Sequence, residues 1–331
     1  MQSTVMGSGS FGTALAMQLA RCGHSVRLWD RKPERAASTQ RERVNRRYLP
    51  DHRLPDGVTV TSDAGWALEG AELVVLAIPS QQLREALGAM RPQLPDDAIL
   101  CCAAKGIEEG TLLTMDEVMA QVLESDRRSC VISGPSFAAE VAKDMPTAVT
   151  VAGADPAATQ KVADAFHGSS FRVYHSHDVV GVEIGGSIKN VMAIATGMAD
   201  GMGLGLNTRA ALITRGLAEI TRLGAAKGAD PMTFAGLAGM GDLVLTCTGN
   251  LSRNRRVGLA LGRGQTLEQV LEELGQVAEG VVTTRSARAL GQKLGVELPI
   301  TEQVYRILYE GLDPQRAMAA LLGRARKHEQ A

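Results

Sequence analysis

Lys189 and Asn190 sit behind two glycines in Glu183-Ile184-Gly185-Gly186-Ser187-Ile188-Lys189-Asn190-Val191, an otherwise apolar helical run. An ammonium held there loses hydration, which lowers its pKa and makes it a candidate general acid for reducing a carbonyl. A lysine snorkelling from a helix surface gives the same pattern. Further along, Gly239-Met240-Gly241-Asp242-Leu243 precedes Thr246, and Asn250-Leu251-Ser252-Arg253-Asn254-Arg255-Arg256 opens a helix. Ser252, Arg253 and Asn254 bring a hydroxyl, a planar cation and an amide to free helix amides, a set suited to a dianionic phosphate. An ordinary N-cap with a solvated basic turn is the competing account.

Three other segments place chemistry at strand ends. Ala104-Lys105-Gly106-Ile107-Glu108 sets a cation there, read either as functional or as a plain surface lysine. Ser133-Gly134-Pro135-Ser136-Phe137-Ala138 joins a strand to a helix start with small residues that admit close backbone approach, or that form a simple capped turn. Ala77-Ile78-Pro79-Ser80 closes another strand, and Gln276-Val277-Ala278-Glu279-Gly280 reads by itself only as a turn.

The elements that must position these groups begin at the N-terminus. A short apolar segment leads into Gly7, Gly9 and Gly12, spaced as the G-x-G-x-x-G of a dinucleotide-binding strand-turn-helix unit. The first glycine permits the turn, the second admits a pyrophosphate, and the third lets the helix seat against the sheet. Ala14, Leu15, Met17 and Leu19 continue as a helix to about Arg21, and Ser25 to Asp30 reads as a second strand. Asp30 stands near the place where an acidic residue meets the adenosine ribose of NAD, while Arg31 and Lys32 suit the 2′-phosphate of NADP. Further strands are expected at 58–60, 73–78, 99–102, 130–132, 148–151 and 171–173. Their alternation with helices predicts a mostly parallel, helix-covered sheet of α/β class. After about residue 180 the spacing turns helical, as in Ile213, Leu217, Ile220 and Ile300, Val304, Ile307, with Pro299 and Pro314 at helix starts. Two domains follow, 1–180 and 181–331, with the cleft between them as the substrate site.

Whole-chain properties narrow the function further. The 331 residues carry a formal net charge of −1, so no global field points to nucleic acid or an anionic membrane. The basic stretch 41–47 reads as a solvated helix face. Five cysteines form no C-x-x-C pair and no His-rich ligand set, which argues against a metal and suits a reducing compartment. No secretory pattern opens the chain and no apolar run approaches a membrane span, so a cytoplasmic protein is expected.

Taken in order, GSGSFGTALA, AIPSQ, KGIEEG, GPSFAAEVA, EIGGSIKNVMAIATG, GLAGMGDLVLTCTGNLSRNRRVG, QVAEG and PITEQVYRILYEG resemble the bacterial-type NAD(P)-dependent glycerol-3-phosphate dehydrogenases over nearly the whole chain. The resemblance implies a Rossmann-like dinucleotide-binding domain followed by an all-helical substrate domain. It also implies reversible NAD(P)H-dependent reduction of dihydroxyacetone phosphate to sn-glycerol 3-phosphate for glycerophospholipid synthesis. By the same carry-over, Gly7, Gly9, Ser10, Phe11, Gly12, Arg31, Lys105, Ala138, Arg253, Val277 and Glu279 contact the nucleotide. Lys105, Gly134, Ser136, Lys189, Asn190, Asp242, Thr246, Ser252, Arg253 and Asn254 contact the substrate, with Lys189 as the proton donor and acceptor. Ser187-Ile188 and Phe11 depart from the residues usual at those positions but conserve their shape. A 3-hydroxyacid or sugar-phosphate dehydrogenase is the neighbouring reading, and a non-catalytic dinucleotide sensor the reading from another class. A homodimer is a further expectation for helical second domains of this kind.

Overall fold

The computed structural model describes residues 1–124, 128–275 and 278–325. Its first half is built on strands β1 (Gln2–Met6), β2 (Ser25–Trp29), β3 (Val44–Asn45), β4 (Leu49–Arg53), β5 (Val58–Thr61), β6 (Leu73–Leu76), β7 (Ile99–Cys102), β8 (Ser129–Ser133), β9 (Thr147–Ala152) and β10 (Phe171–Ser176). Eight of them form one sheet in the order β10-β9-β8-β7-β6-β1-β2-β5. The pairs from β5 across to β8 are parallel, while β9 runs antiparallel to β8 and β10 parallel to β9. Every residue of β6 and β7 is buried, because helices cover both faces and unbroken apolar runs then cost nothing in exposed surface.

The chain runs from β1 to β2 on one side and comes back to β6 on the other, so a crevice opens where the carboxyl ends of β1 and β6 diverge. Gly7 follows β1 with φ of +119°, and a Cβ there would stand 2.4 Å from the Ala77 carbonyl oxygen after β6. A Cβ on Gly12 would fall 2.0 Å from the Gly7 oxygen, so the helix Ser10–Arg21 seats against the turn only because both positions lack side chains.

One stretch folds differently from its sequence reading. The helix Pro33–Glu42 stops at Arg43, which is left-handed at φ 57°, and Val44–Asn45 then pairs antiparallel with β4. The expected basic helix face therefore ends early. Long-range contacts decide this: the buried Asn45 amide donates to Ser8 O at 2.8 Å and Thr13 Oγ1 at 2.9 Å, and Arg43 donates to the Val58 and Pro55 carbonyls.

The second half is helical and is organised by the helix Val179–Gly201, buried from Gly181 to Ala199. Around it lie Gly205–Ala226, Arg253–Gly262, Glu279–Leu294 and Pro299–Glu310, with Pro314–Leu322 beyond. Pro299 and Pro314 both occupy first turns, where a missing N–H costs nothing. Contrary to the expectation from apolar runs, Val179–Gly201 is long and apolar enough to cross a membrane. However, 89% of its apolar window is buried inside the protein, so it is the core helix of this half.

Candidate active site

The segments singled out in the sequence converge on the carboxyl edge of the sheet. Gly7 to Gly12 follow β1, Lys105 follows β7, and Ser133, Gly134 and Ser136 end or follow β8. The core helix crosses this edge with Gly186 against Ser133 and Lys105. A Cβ on Gly186 would lie 2.6 Å from Ser133 Oγ and 3.7 Å from Lys105 Cδ. The glycine pair in that helix is therefore what lets Lys189 and Lys105 reach a common point.

That point is Asp242, 1% exposed, at the start of the helix Asp242–Thr248 and directly after a π-helical turn, Leu237–Gly241. Lys189 Nζ donates to Asp242 Oδ1 at 2.5 Å and to Thr246 Oγ1 at 3.0 Å, while Lys105 Nζ donates to Asp242 Oδ2 at 2.8 Å. Thr246 spends its own proton on the Asp242 carbonyl at 2.6 Å, so its lone pair faces Lys189. Lys189 is 6% exposed; burial pulls its pKa down to about 8, Asp242 opposes that shift, and Lys105 adds to it. Burial pushes the Asp242 carboxyl up, but Lys105 and Lys189 outweigh it and hold the group below its ordinary value. The surface-lysine alternative for Lys189 does not fit this geometry.

Beside this node, the Asn254 amide donates to Asn190 Oδ1 at 2.9 Å and accepts from the Gly280 N–H at 3.0 Å, joining three helices at one place. Ser252 is the N-cap of Arg253–Gly262, its Oγ accepting from the Arg255 N–H at 3.2 Å, so the capping account holds for Ser252 itself. Of the trio 252–254 only Arg253 is exposed. Glu279 opens the helix Glu279–Leu294; burial raises its carboxyl, while Arg253 and the Ser80 N–H pull it the other way. Val277 lies outside the described residues.

At the glycine-rich end, the helix Ser10–Arg21 starts with no side-chain cap and no acidic residue in its first turn, and a Cβ on Gly9 would meet nothing within 4 Å. Uncapped amides facing open space fit a pyrophosphate, which these residues would hold through backbone N–H groups and the helix dipole. Phe11 lies beneath Lys105, whose Nζ is 5.6 Å from the ring centroid. Ala138 begins the short helix Ala138–Ala142, and Ser136 Oγ turns back onto the Gly134 carbonyl at 2.9 Å. Arg31 is exposed at the end of β2. Asp30, expected to face a ribose, is 1% exposed and paired with Arg35 at 2.5 and 2.6 Å.

The role of one support was not legible in the sequence. Arg255 is buried and donates to Asp200 Oδ2 at 2.6 Å and to Asn250 Oδ1 at 2.9 Å, which fixes the loop carrying Ser252 and Arg253. Its place two residues after Arg253, on another face of the first turn, was the available signal. Ser133 Oγ is buried without a hydrogen-bond partner against Gly186.

Comparison with known proteins agrees with this layout. The family models for the N-terminus and C-terminus of NAD-dependent glycerol-3-phosphate dehydrogenase match residues 2–159 and 178–319. A glycerol-3-phosphate dehydrogenase [NAD(P)+] of Anaeromyxobacter dehalogenans is 53% identical over 99% of this chain and 100% of its own length. That of Geobacter sp. (strain M21) is 52% identical over 98% of both. The crystal structure of glycerol-3-phosphate dehydrogenase from Coxiella burnetii superposes with a TM-score of 0.94 at 44% identity, covering 98% of this chain and 99% of that one. With a parallel-sheet dinucleotide fold, a helical second half and both family models matched, the chain belongs to the NAD-dependent glycerol-3-phosphate dehydrogenase family.

Proposed function

We propose that the chain catalyses reversible NAD(P)H-dependent reduction of dihydroxyacetone phosphate to sn-glycerol 3-phosphate, with Lys189 as the proton donor and acceptor. The observation that carries this assignment is the Asp242 node: one buried carboxylate holding two ammonium groups at the sheet's carboxyl edge. When bound, NADH or NADPH supplies the hydride for C2 of the ketone. Lys189 has donors committed to Asp242 and Thr246, which aim its remaining N–H at the substrate oxygen, where it polarises the carbonyl and then protonates the alkoxide. In the reverse direction the neutral amine takes the proton back. Asp242 stabilises the ammonium between turnovers, and Lys105 adds positive potential at the same oxygen or at the phosphate.

Gly134, Ser136, Asn190, Ser252, Arg253 and Asn254 hold the rest of the substrate. Phosphate contacts remote from C2 spend binding energy on orienting the carbonyl. The dinucleotide is held by Gly7, Gly9, Ser10, Phe11, Gly12, Arg31, Lys105, Ala138, Arg253, Val277 and Glu279. A division into domains 1–180 and 181–331 is supported by the end of β10 at Ser176 and by the start of the core helix at Val179, whose first turn contains the boundary. A cytoplasmic site of action is supported by five unpaired thiols, four of them buried. A homodimer is a further part of this reading; sedimentation velocity decides it, and a monomer at micromolar concentration removes it.

The test of the reaction is an assay of NADH and NADPH oxidation with dihydroxyacetone phosphate, using dihydroxyacetone as the control. Turnover with the phosphorylated ketone alone supports both the reaction and the phosphate set. Turnover with a hydroxyacid or a larger polyol, or cofactor binding with no turnover of any phosphorylated triose, returns the rival readings.

A further inference from the structure

The geometry points to Arg35 as the residue that turns this chain toward NADP(H), by occupying the carboxylate that would otherwise select NAD(H). The inference rests on the dinucleotide site proposed above. An acidic residue at the end of the second strand favours NAD by accepting hydrogen bonds from the ribose hydroxyls, and for that it needs free lone pairs. Asp30 has the right position and no free lone pairs. Its Oδ2 accepts from Ser8 Oγ and from Arg35 Nε, and its Oδ1 accepts from Arg35 Nη2 at 2.6 Å and from the Lys32 N–H at 2.9 Å. Those donors fill a carboxylate's roughly four acceptor positions, and at 1% exposure no face of the group is left for a ligand.

What remains at the end of β2 is rich in donors and poor in acceptors. Arg31 is exposed, and its Nη1 reaches Gln82 Oε1 only at 3.4 Å. Lys32 is exposed beside it. The Arg35 guanidinium keeps N–H groups beyond the two that Asp30 takes, and lies 5.3 Å from the Tyr48 ring centroid, with Arg47 at 5.5 Å from the same ring. Ser10 Oγ donates to the Tyr48 carbonyl at 3.1 Å, which ties this cationic corner to the glycine-rich turn. A ribose 2′-hydroxyl meets other donors there and leaves its proton unpaired. A 2′-phosphate dianion meets guanidinium groups that bind it in a fork. Asp30 thereby acts as a strut for Ser8 and Arg35 and reads no ribose.

Calorimetric titration with 2′,5′-ADP and with 5′-ADP separates the claim from catalysis, since neither fragment carries a nicotinamide. Wild-type protein is expected to bind 2′,5′-ADP at least about tenfold more tightly, with kcat/KM for NADPH exceeding that for NADH in the same sense. Arg35→Ala is expected to narrow the gap from both sides, above all by gaining 5′-ADP affinity as Asp30 becomes free to accept. Arg31→Ala is expected to narrow it by losing 2′,5′-ADP alone. Because Arg35→Ala leaves a buried carboxylate unpaired, the double variant Asp30→Asn/Arg35→Ala accompanies it and should show no 5′-ADP gain. Equal or tighter binding of 5′-ADP by the wild-type protein overturns the inference, and so does a 5′-ADP gain that persists in the double variant. Failure of both fragments to bind removes the dinucleotide site itself.

Discussion

Lys105 and Lys189 share one carboxylate, yet their surroundings differ. Lys105 keeps 14% of its side chain exposed, whereas Lys189 keeps 7% and has the Thr246 hydroxyl as a second fixed acceptor. Proton transfer to a developing alkoxide needs a donor that is oriented before the reaction begins, and Lys189 meets that condition. Lys189→Ala should cut kcat by about 10²- to 10⁴-fold while leaving the Kd for nucleotide nearly unchanged. Near-normal turnover in that variant would remove Lys189 from the mechanism. The titration of Lys189 near pH 8 fixes the sign of the pH dependence. With Lys189 as the proposed proton donor, ketone reduction is expected to decline as pH rises through about 8 and alcohol oxidation to grow over the same range, which pH-rate profiles in both directions would check. Asp242 opposes the downward shift of Lys189, so Asp242→Asn should move both limbs to lower pH besides slowing the reaction. Profiles that keep their midpoints in Asp242→Asn would show that the carboxylate has no hold on the titrating group.

Among the elements, the helix Pro299–Glu310 is started from outside itself. Leu298 at the N-cap and Pro299 after it offer no side-chain cap, and the buried Glu219 of the helix Gly205–Ala226 accepts from Ile300 N–H at 2.5 Å and from Thr301 N–H at 3.2 Å. Glu219→Ala strands two buried backbone donors and should cost about 2–4 kcal/mol of stability. Chemical denaturation reads this directly, and a loss below about 0.5 kcal/mol would reduce Glu219 to a bystander. The same distinction between local and distant causes governs what the sequence reveals. The first strand, its glycine turn and the Lys-Asn helix were legible because periodicity and glycine spacing are local signals. The β3–β4 hairpin was not, since Asn45 is held by Ser8 and Thr13, more than thirty positions away. Within the site, the residue types at 105, 189, 242 and 252–254 were readable. Their pairing was not: Asn254 to Asn190, Arg255 to Asp200 and Arg35 to Asp30 follow from side-chain geometry that no spacing encodes.

At the scale of the whole molecule, the sheet and the helical half meet along the core helix, and that junction buries a carboxyl group. Glu183 is 7% exposed on the core helix and accepts from the Asp116 N–H at 3.0 Å, at the start of the helix Met115–Leu123. Its second oxygen is buried without a partner. Burial raises its pKa to about 8, and the nearby Asp116 carboxylate adds to the shift, while Thr114 and the Asp116 N–H oppose it. Glu117, close by, is occupied by Lys227 at 2.7 Å. At neutral pH Glu183 is therefore a carboxylic acid in the folded chain and a carboxylate in the unfolded one. A folded pKa raised in this way gives stability that is complete below about 4.5 and is lost as pH rises to about 8. Glu183→Gln keeps an acceptor for Asp116 N–H and cannot ionise. It should match the wild-type protein near pH 5 and be more stable near pH 8, by an amount of order 1–4 kcal/mol seen as a higher melting temperature. Melting temperatures of the two proteins across that range provide the measurement. If the two curves run parallel, ionisation of Glu183 does not load the junction, and the pH dependence of the fold must come from other groups.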